Sequence, residues 1–204
     1  MHSFFPGATM PHQSSSYEER SQQTKRNILR ESARLFARNG YHKTTISDIS
    51  KAIGMTQGAL FHKFPNKEAI LFAVVERLAR GFDEYTDSIQ SEESDDPIKS
   101  VVKQMVSHYR KNPEDTICLA ALASEFASSG HPILERIRSA YDRFTMPLAE
   151  ELAKSGFYKD PSSTAVAFIG AVQGIAIQGL LREEDPSLEK LADAFLDMMK
   201  SSGN

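Results

Sequence analysis

Between Thr44 and Lys67, in the run TTISDISKAIGMTQGALFHKFPNK, the chain gathers side chains suited to gripping a polyanion. Gln57 carries an amide that can meet an adenine edge through two hydrogen bonds. Gly58 has no side chain, so a helix beginning here can come close to a duplex. Ala59 offers a methyl to a thymine methyl. Lys63 and Lys67 supply ammonium groups for phosphate oxygens, and helix N-termini supply N–H donors. Thr45 can serve the same end across the groove. Other chemistries find no foothold. A single cysteine, Cys118, excludes an intrachain disulfide. The six histidines (His2, His12, His42, His62, His108 and His131) share no metal-ligand spacing with it. The chain has no phosphate-cradling loop, nucleophile elbow or paired-carboxylate arrangement. No catalytic residue, metal or cofactor is assigned, and no enzyme is expected.

Helices must position these residues. Apolar spacing is helical almost throughout, with no sustained alternation that would make a strand. A first helix is predicted from about Gln22 to Asn39, closed by Gly40 in the left-handed conformation. A second runs from about Ser47 to Ile53, with Thr45 as N-cap, Asp48 completing a capping box and Gly54 as terminator. A third opens at Thr56 and fails before Pro65. Helix, tight turn, helix is a helix-turn-helix. Its inward set is Ile46, Ile49, Ile53, Met55, Leu60 and Phe64, against Leu35 and Phe36. Asn66 caps a long fourth helix, from Lys67 to about Ile89. The acidic run 91–96 is a loop. Asp96-Pro97, Asn112-Pro113, Gly130-His131-Pro132, Asp160-Pro161 and Asp185-Pro186 then start five more helices, the seventh kinked near Pro147. The expectation is an all-α chain of about nine helices: a disordered tail over 1–20, a DNA-binding unit over 21–67, and a helical bundle over 68–204.

Charge divides along the same line. Residues 1–71 carry ten Lys/Arg against five Asp/Glu, a net +5; residues 72–204 carry fourteen against twenty-two, a net −8. A basic head on an acidic body suits a head that meets nucleic acid. Residues 1–16 hold no Lys or Arg and too short an apolar run for a signal peptide, and Met10 is an alternative start. The apolar stretch 165–181 is interrupted by Gln173 and Gln178 and is short for a membrane span. A helix buried on nearly all sides, in a cytoplasmic protein with no membrane partner, is the expectation. A helical unit with a merely solvated polar face would carry the same head residues, so the pattern alone leaves that reading open.

The run from Ile28 to Leu71 resembles the DNA-binding domain of the tetracycline-repressor-like (TetR) family. The resemblance rests on Leu35-Phe36, Gly40-Tyr41, Thr44-Thr45, Asp48-Ile49, Gly54, Leu60, Phe64 and Lys67-Glu68. It implies a homodimer formed by the last two helices, double-stranded operator DNA as partner, and release by a small-molecule effector bound in the body. It also implies that Thr45, Phe61, His62 and Lys67 contact phosphates, with Gln57, Gly58, Ala59 and Lys63 nearest the bases and Thr44 in the same DNA-binding set. Phe61 stands where the family usually has tyrosine, so one phosphate hydrogen bond is missing.

In the body, Ala167, Gly170, Ala171 and Gly174 lie near one face of the eighth helix, and Leu188, Leu191, Phe195, Leu196 and Met199 mark the ninth. This pattern reads as a dimer face, or as the core of a monomer. Candidate effector-lining residues are Met105, His108, Tyr109, Cys118, Leu122, Phe126, Tyr141, Phe144 and Phe168, each of which could equally be core packing. Two other functions remain in view: a small-molecule-binding protein or enzyme that keeps the head as scaffold, and a nucleoid-type binder with little sequence preference.

Overall fold

A computed structural model describes residues 13–90, 97–154, 156, 158–182 and 187–201. Among these residues every regular element is a helix: α1 (Gln13–Asn39), α2 (Ile46–Ile53), α3 (Gln57–Phe61), α4 (Lys67–Gln90), α5 (Pro97–Lys111), α6 (Pro113–Phe126), α7 (Ile133–Lys154), α8 (Pro161–Arg182) and α9 (Leu188–Ser201).

The local signals at the head act as expected. Thr45 is extended and accepts a hydrogen bond from the Asp48 N–H, while Asp48 accepts one from the Thr45 N–H. Gly54 closes α2 at φ 67°, a left-handed conformation that glycine adopts without a steric penalty. The Asn66 side chain accepts from the Ala69 N–H at 2.7 Å, capping α4.

Three expectations need correction. The tail placed at 1–20 is helical from Gln13, because no glycine or proline interrupts Gln13–Asn39 and α1 propagates backwards. The remainder of that tail, 1–12, and the acidic loop 91–96 lie outside the described residues. Asp185-Pro186 lies outside them too; α9 is started by Ser187, whose Oγ accepts from the Lys190 N–H at 3.3 Å. Finally, α8 is not buried on nearly all sides within this chain. Ala165, Phe168, Ile169 and Ala176 are buried, but Val166, Ile177, Leu180 and Leu181 face outward. Helices α5, α6, α7 and α9 pack against it, and these outward residues are left uncovered by the described elements.

Helix α7 runs unbroken through Pro147. Proline has no N–H, so the Arg143 carbonyl four residues back lacks its usual donor. The Thr86 hydroxyl of α4 lies 3.0 Å from that carbonyl and can donate to it, which ties the break to the helix packed alongside.

Two apolar clusters hold the bundle. The first joins Phe36, Ile49, Leu60 and Ile70 to Cys118, Leu122, Phe126 and Ile133. The head is therefore not a separate core; it shares one with α6 and α7. The second packs Val101, Met105, Phe144, Leu148, Phe168 and Leu196. Full burial of such side chains contributes about 1.5–3 kcal/mol each, against at most about 1 kcal/mol for an exposed ion pair such as Arg138–Glu135.

At the head–body seam Glu125 of α6 accepts from the backbone N–H groups of Tyr41 and His42, at 2.7 and 2.8 Å. Gly40 belongs there for two reasons: its φ is +80°, and a Cβ would sit 3.2 Å from a Glu125 oxygen.

Glu125→Ala should lower stability by about 2 kcal/mol, since it strips a charged acceptor from two N–H groups. Arg138→Ala should change it by less than about 0.5 kcal/mol. Urea denaturation of both variants checks this. A second expectation concerns pH. The Asp48 carboxyl lies below its ordinary 3.8, chiefly through the Thr45 hydroxyl and then the Thr45 N–H. Its contribution to α2 is thus present above 3.8 and lost as pH falls through the lower folded-state value. Thr45→Val should move the Asp48 titration upward, as read by carboxyl carbon NMR.

Candidate nucleic-acid interface and internal cavity

Helix α3 is short and capped at its first turn, where the Thr56 hydroxyl accepts from the Ala59 N–H at 3.2 Å. Leu60, fully buried, anchors it to the head core. That single inward anchor turns Gln57, Gly58, Phe61 and His62 to solvent, with Ala59 half-buried beside them. A Cβ at Gly58 would meet nothing within 4 Å, so this end of α3 stands clear of the protein. Thr45, at the start of α2, is also exposed.

The remaining residues expected on this surface are placed differently. Thr44 is fully buried, and its hydroxyl donates to the Gly40 carbonyl at 2.8 Å, closing the turn between α1 and α2. Its side chain therefore does not reach the outer surface. Lys63 is half-buried, its Nζ 2.8 Å from the Ser21 Oγ of α1. Lys67 is the largest departure. Its Nζ lies 2.9 Å from the carbonyls of Tyr41 and Thr44 and 3.5 Å from that of His42. It also sits 4.2 Å from the centre of the Tyr41 ring. Burial lowers the ammonium from its ordinary range, opposed by the negative charge of Glu125. Lys67 thus organises the α1–α2 turn.

The body holds a cavity between α4, α5, α6, α7 and α8, with about 680 Å³ unfilled by atoms, including its open mouth. Of the candidate effector-lining residues, Met105, His108, Tyr109 and Tyr141 line it. Cys118, Leu122, Phe126, Phe144 and Phe168 do not. Phe126 packs against Tyr41 and His131 at the head–body seam, and Phe144 stacks with Phe168 in the second cluster. Burial pushes the Cys118 thiol up to about 12, which leaves it protonated at neutral pH and a poor nucleophile. Sequence reasoning missed Phe82 and Tyr85 of α4, Asp115 and Thr116 of α6, and Gln173 of α8. One signal was available: Gln173 interrupts an apolar helix, and a polar residue there needs a partner. It finds one by donating to the Tyr141 hydroxyl, which burial pushes up to about 12.

Asp115, in the first turn of α6, is gripped by Arg77 of α4 through two hydrogen bonds of 2.6 and 2.9 Å. Helix α6 therefore begins at the cavity wall and carries Glu125, near its other end, to the head.

Residues 28–74 match the profile of the bacterial regulatory proteins of the tetR family. Over 200 residues the chain is 26% identical to the HTH-type transcriptional regulator TtgR of Pseudomonas putida, covering 91% of this chain and 95% of that protein. It is likewise 26% identical over 183 residues to the HTH-type regulator YxaF of Bacillus subtilis, covering 86% and 95%. The fold matches a TetR transcriptional regulator from Legionella pneumophila at a TM-score of 0.73 and 21% identity, over 86% of this chain and 96% of that one. It matches AibR, solved with isovaleryl coenzyme A and operator DNA, at 0.71 and 22%, over 86% and 97%. The matched profile spans the capped α2–turn–α3 unit and the Lys67-held turn, and the alignment to a curated regulator continues through the cavity-bearing body: residues 28–74 carry the head described for the bacterial regulatory proteins of the tetR family, and the chain as a whole is similar to regulators of that kind.

Proposed function

We propose that the protein is a dimeric transcription regulator, acting as a repressor, that binds palindromic operator DNA and is released when a small molecule enters the body cavity. The observation that carries this reading is the edge of α3. Gln57 and Gly58 stand exposed at a helix N-terminus, while Leu60 fixes that helix from behind. Gln57 suits a base edge; Gly58 and Ala59 allow close approach. Thr45 and His62, with the basic residues of the head, suit the flanking phosphates. Lys63 and Lys67 act mainly by positioning, and Phe61, 46% exposed, gives apolar contact without a hydroxyl.

The dimer face lies on α8 and α9. Val166, Ile177, Leu180 and Leu181 of α8 and Met198 of α9 are large apolar side chains left exposed, Leu181 being 71% exposed. Monomeric proteins in water rarely leave a large apolar patch bare. Gly170 and Gly174 have open space where a side chain would be, so a partner helix can come close. A two-fold pair of heads suits half-sites about 34–36 Å apart. An exposed α8 covered by a second copy also fits a cytoplasmic protein better than a membrane span. The division at about residue 67 is then one of labour, with DNA contact before it and effector binding and dimerisation after it.

Coupling follows the contacts. A molecule against Asp115 and Thr116 bears on the start of α6 and, through Arg77, on α4. Both helices hold the turn that presents Thr45 and α2: α6 through Glu125, α4 through Lys67. A ligand that prefers one setting of these helices shifts the population of head spacings.

On a fragment from upstream of its own gene, the protein should give a discrete mobility-shifted complex at moderate salt. Gln57→Ala should weaken that complex about tenfold or more with the circular dichroism spectrum unchanged. No discrete complex on that or any other candidate operator would count against the reading. Separately, Ile177→Glu should convert dimers to monomers in analytical ultracentrifugation; an unchanged sedimentation coefficient would remove α8 from the interface.

A further inference from the structure

The cavity has a chemistry of its own. Its walls are mostly apolar and aromatic, with Phe82, Tyr85 and Tyr141 among them, and contain no lysine or arginine. The one carboxylate, Asp115, has both oxygens engaged by Arg77. His108 is the one imidazole among the lining residues, so a charged ligand would lose its hydration for little compensating charge, at a cost such walls do not offset. His108, Thr116 and the paired Gln173 and Tyr141 also line it, but one polar group stands apart. The Tyr109 hydroxyl is buried, in a residue only 8% exposed, and has no hydrogen-bond partner among the described residues. Buried hydroxyls of this kind ordinarily find one. Tyr109 lines the cavity, so a molecule inside it can supply the acceptor.

We infer that the cavity takes an uncharged, largely aromatic small molecule carrying a hydrogen-bond acceptor, such as a ketone or ether oxygen, which receives the Tyr109 hydroxyl. This rests on the reading of the cavity as the effector site, and it specifies the ligand class. The tyrosine ring belongs to the apolar wall and its hydroxyl selects. Carboxylates, phosphorylated carriers and quaternary ammonium compounds fall outside the class.

The test uses the full chain and four probes of one size: acetophenone, ethylbenzene, benzoate and benzylammonium. Dissociation constants come from calorimetric or NMR titration, for the natural protein and for Tyr109→Phe, which keeps the ring and removes only the hydroxyl. Acetophenone and ethylbenzene should both bind, and the two charged probes should bind far more weakly. Tyr109→Phe should weaken acetophenone by about tenfold and leave ethylbenzene unchanged or tighter. The inference is overturned if none of the four binds, if a charged probe binds tightest, or if the substitution affects both neutral probes alike. Operator binding is measured in parallel. If acetophenone binds through Tyr109 but never weakens the operator complex, the ligand class stands and the effector reading fails. If benzoate or benzylammonium releases the operator equally from both proteins, the effector reading stands and the ligand class fails.

Discussion

A short turn between α1 and α2 is held from two sides by opposite charges. The Glu125 carboxylate takes the N–H groups of Tyr41 and His42, and the Lys67 ammonium takes the carbonyls of Tyr41, His42 and Thr44. Backbone dipoles point both ways in such a turn, and neither charge could satisfy it alone. Each charge is partly withdrawn from water, so each depends on the other: burial lowers the Lys67 ammonium from its ordinary range, and the negative charge of Glu125 opposes that shift. With this clamp in place, Thr45 is set to cap α2, and α2 in turn backs α3.

The clamp also supplies the route that the proposed coupling between cavity and head would take. Glu125 belongs to α6 and Lys67 to α4, the two helices joined by the Arg77–Asp115 pair at the cavity wall. Head and body share a single apolar cluster, so a shift in either helix is not absorbed at a soft boundary. Helix α4 is further tied to α7 by the Thr86 hydroxyl at the carbonyl that Pro147 leaves without its usual donor. Packed elements of this kind move as units between discrete settings.

How much was legible depended on the range of the interaction. Caps and terminators act within a few residues, and Thr45, Asp48, Gly54, Thr56 and Asn66 could be read directly. The inward set of the head followed from helical spacing, and the buried state of Ile49, Leu60 and Phe64 agrees. The cavity was half legible. Met105, His108, Tyr109 and Tyr141 line it, but Cys118, Leu122, Phe126, Phe144 and Phe168 are equally apolar and sit in packing instead. Wall and core draw on the same residue types, and only the way the helices cross decides which is which.

The sequence by itself determined the helices, their caps, the basic head and the outward set around Gln57, because these depend on local propensity, period and charge. Only the tertiary structure decided the partners of the long-range polar groups. Lys67, expected to grip a phosphate, grips a turn twenty-odd residues upstream; Thr44 closes that turn from inside; Tyr109 lines the cavity with its hydroxyl unpartnered among the described residues. A charged or hydroxyl side chain bonds to whatever the fold brings within about 3 Å. Nothing in the spacing of residues along a chain sets that distance until the helices have packed.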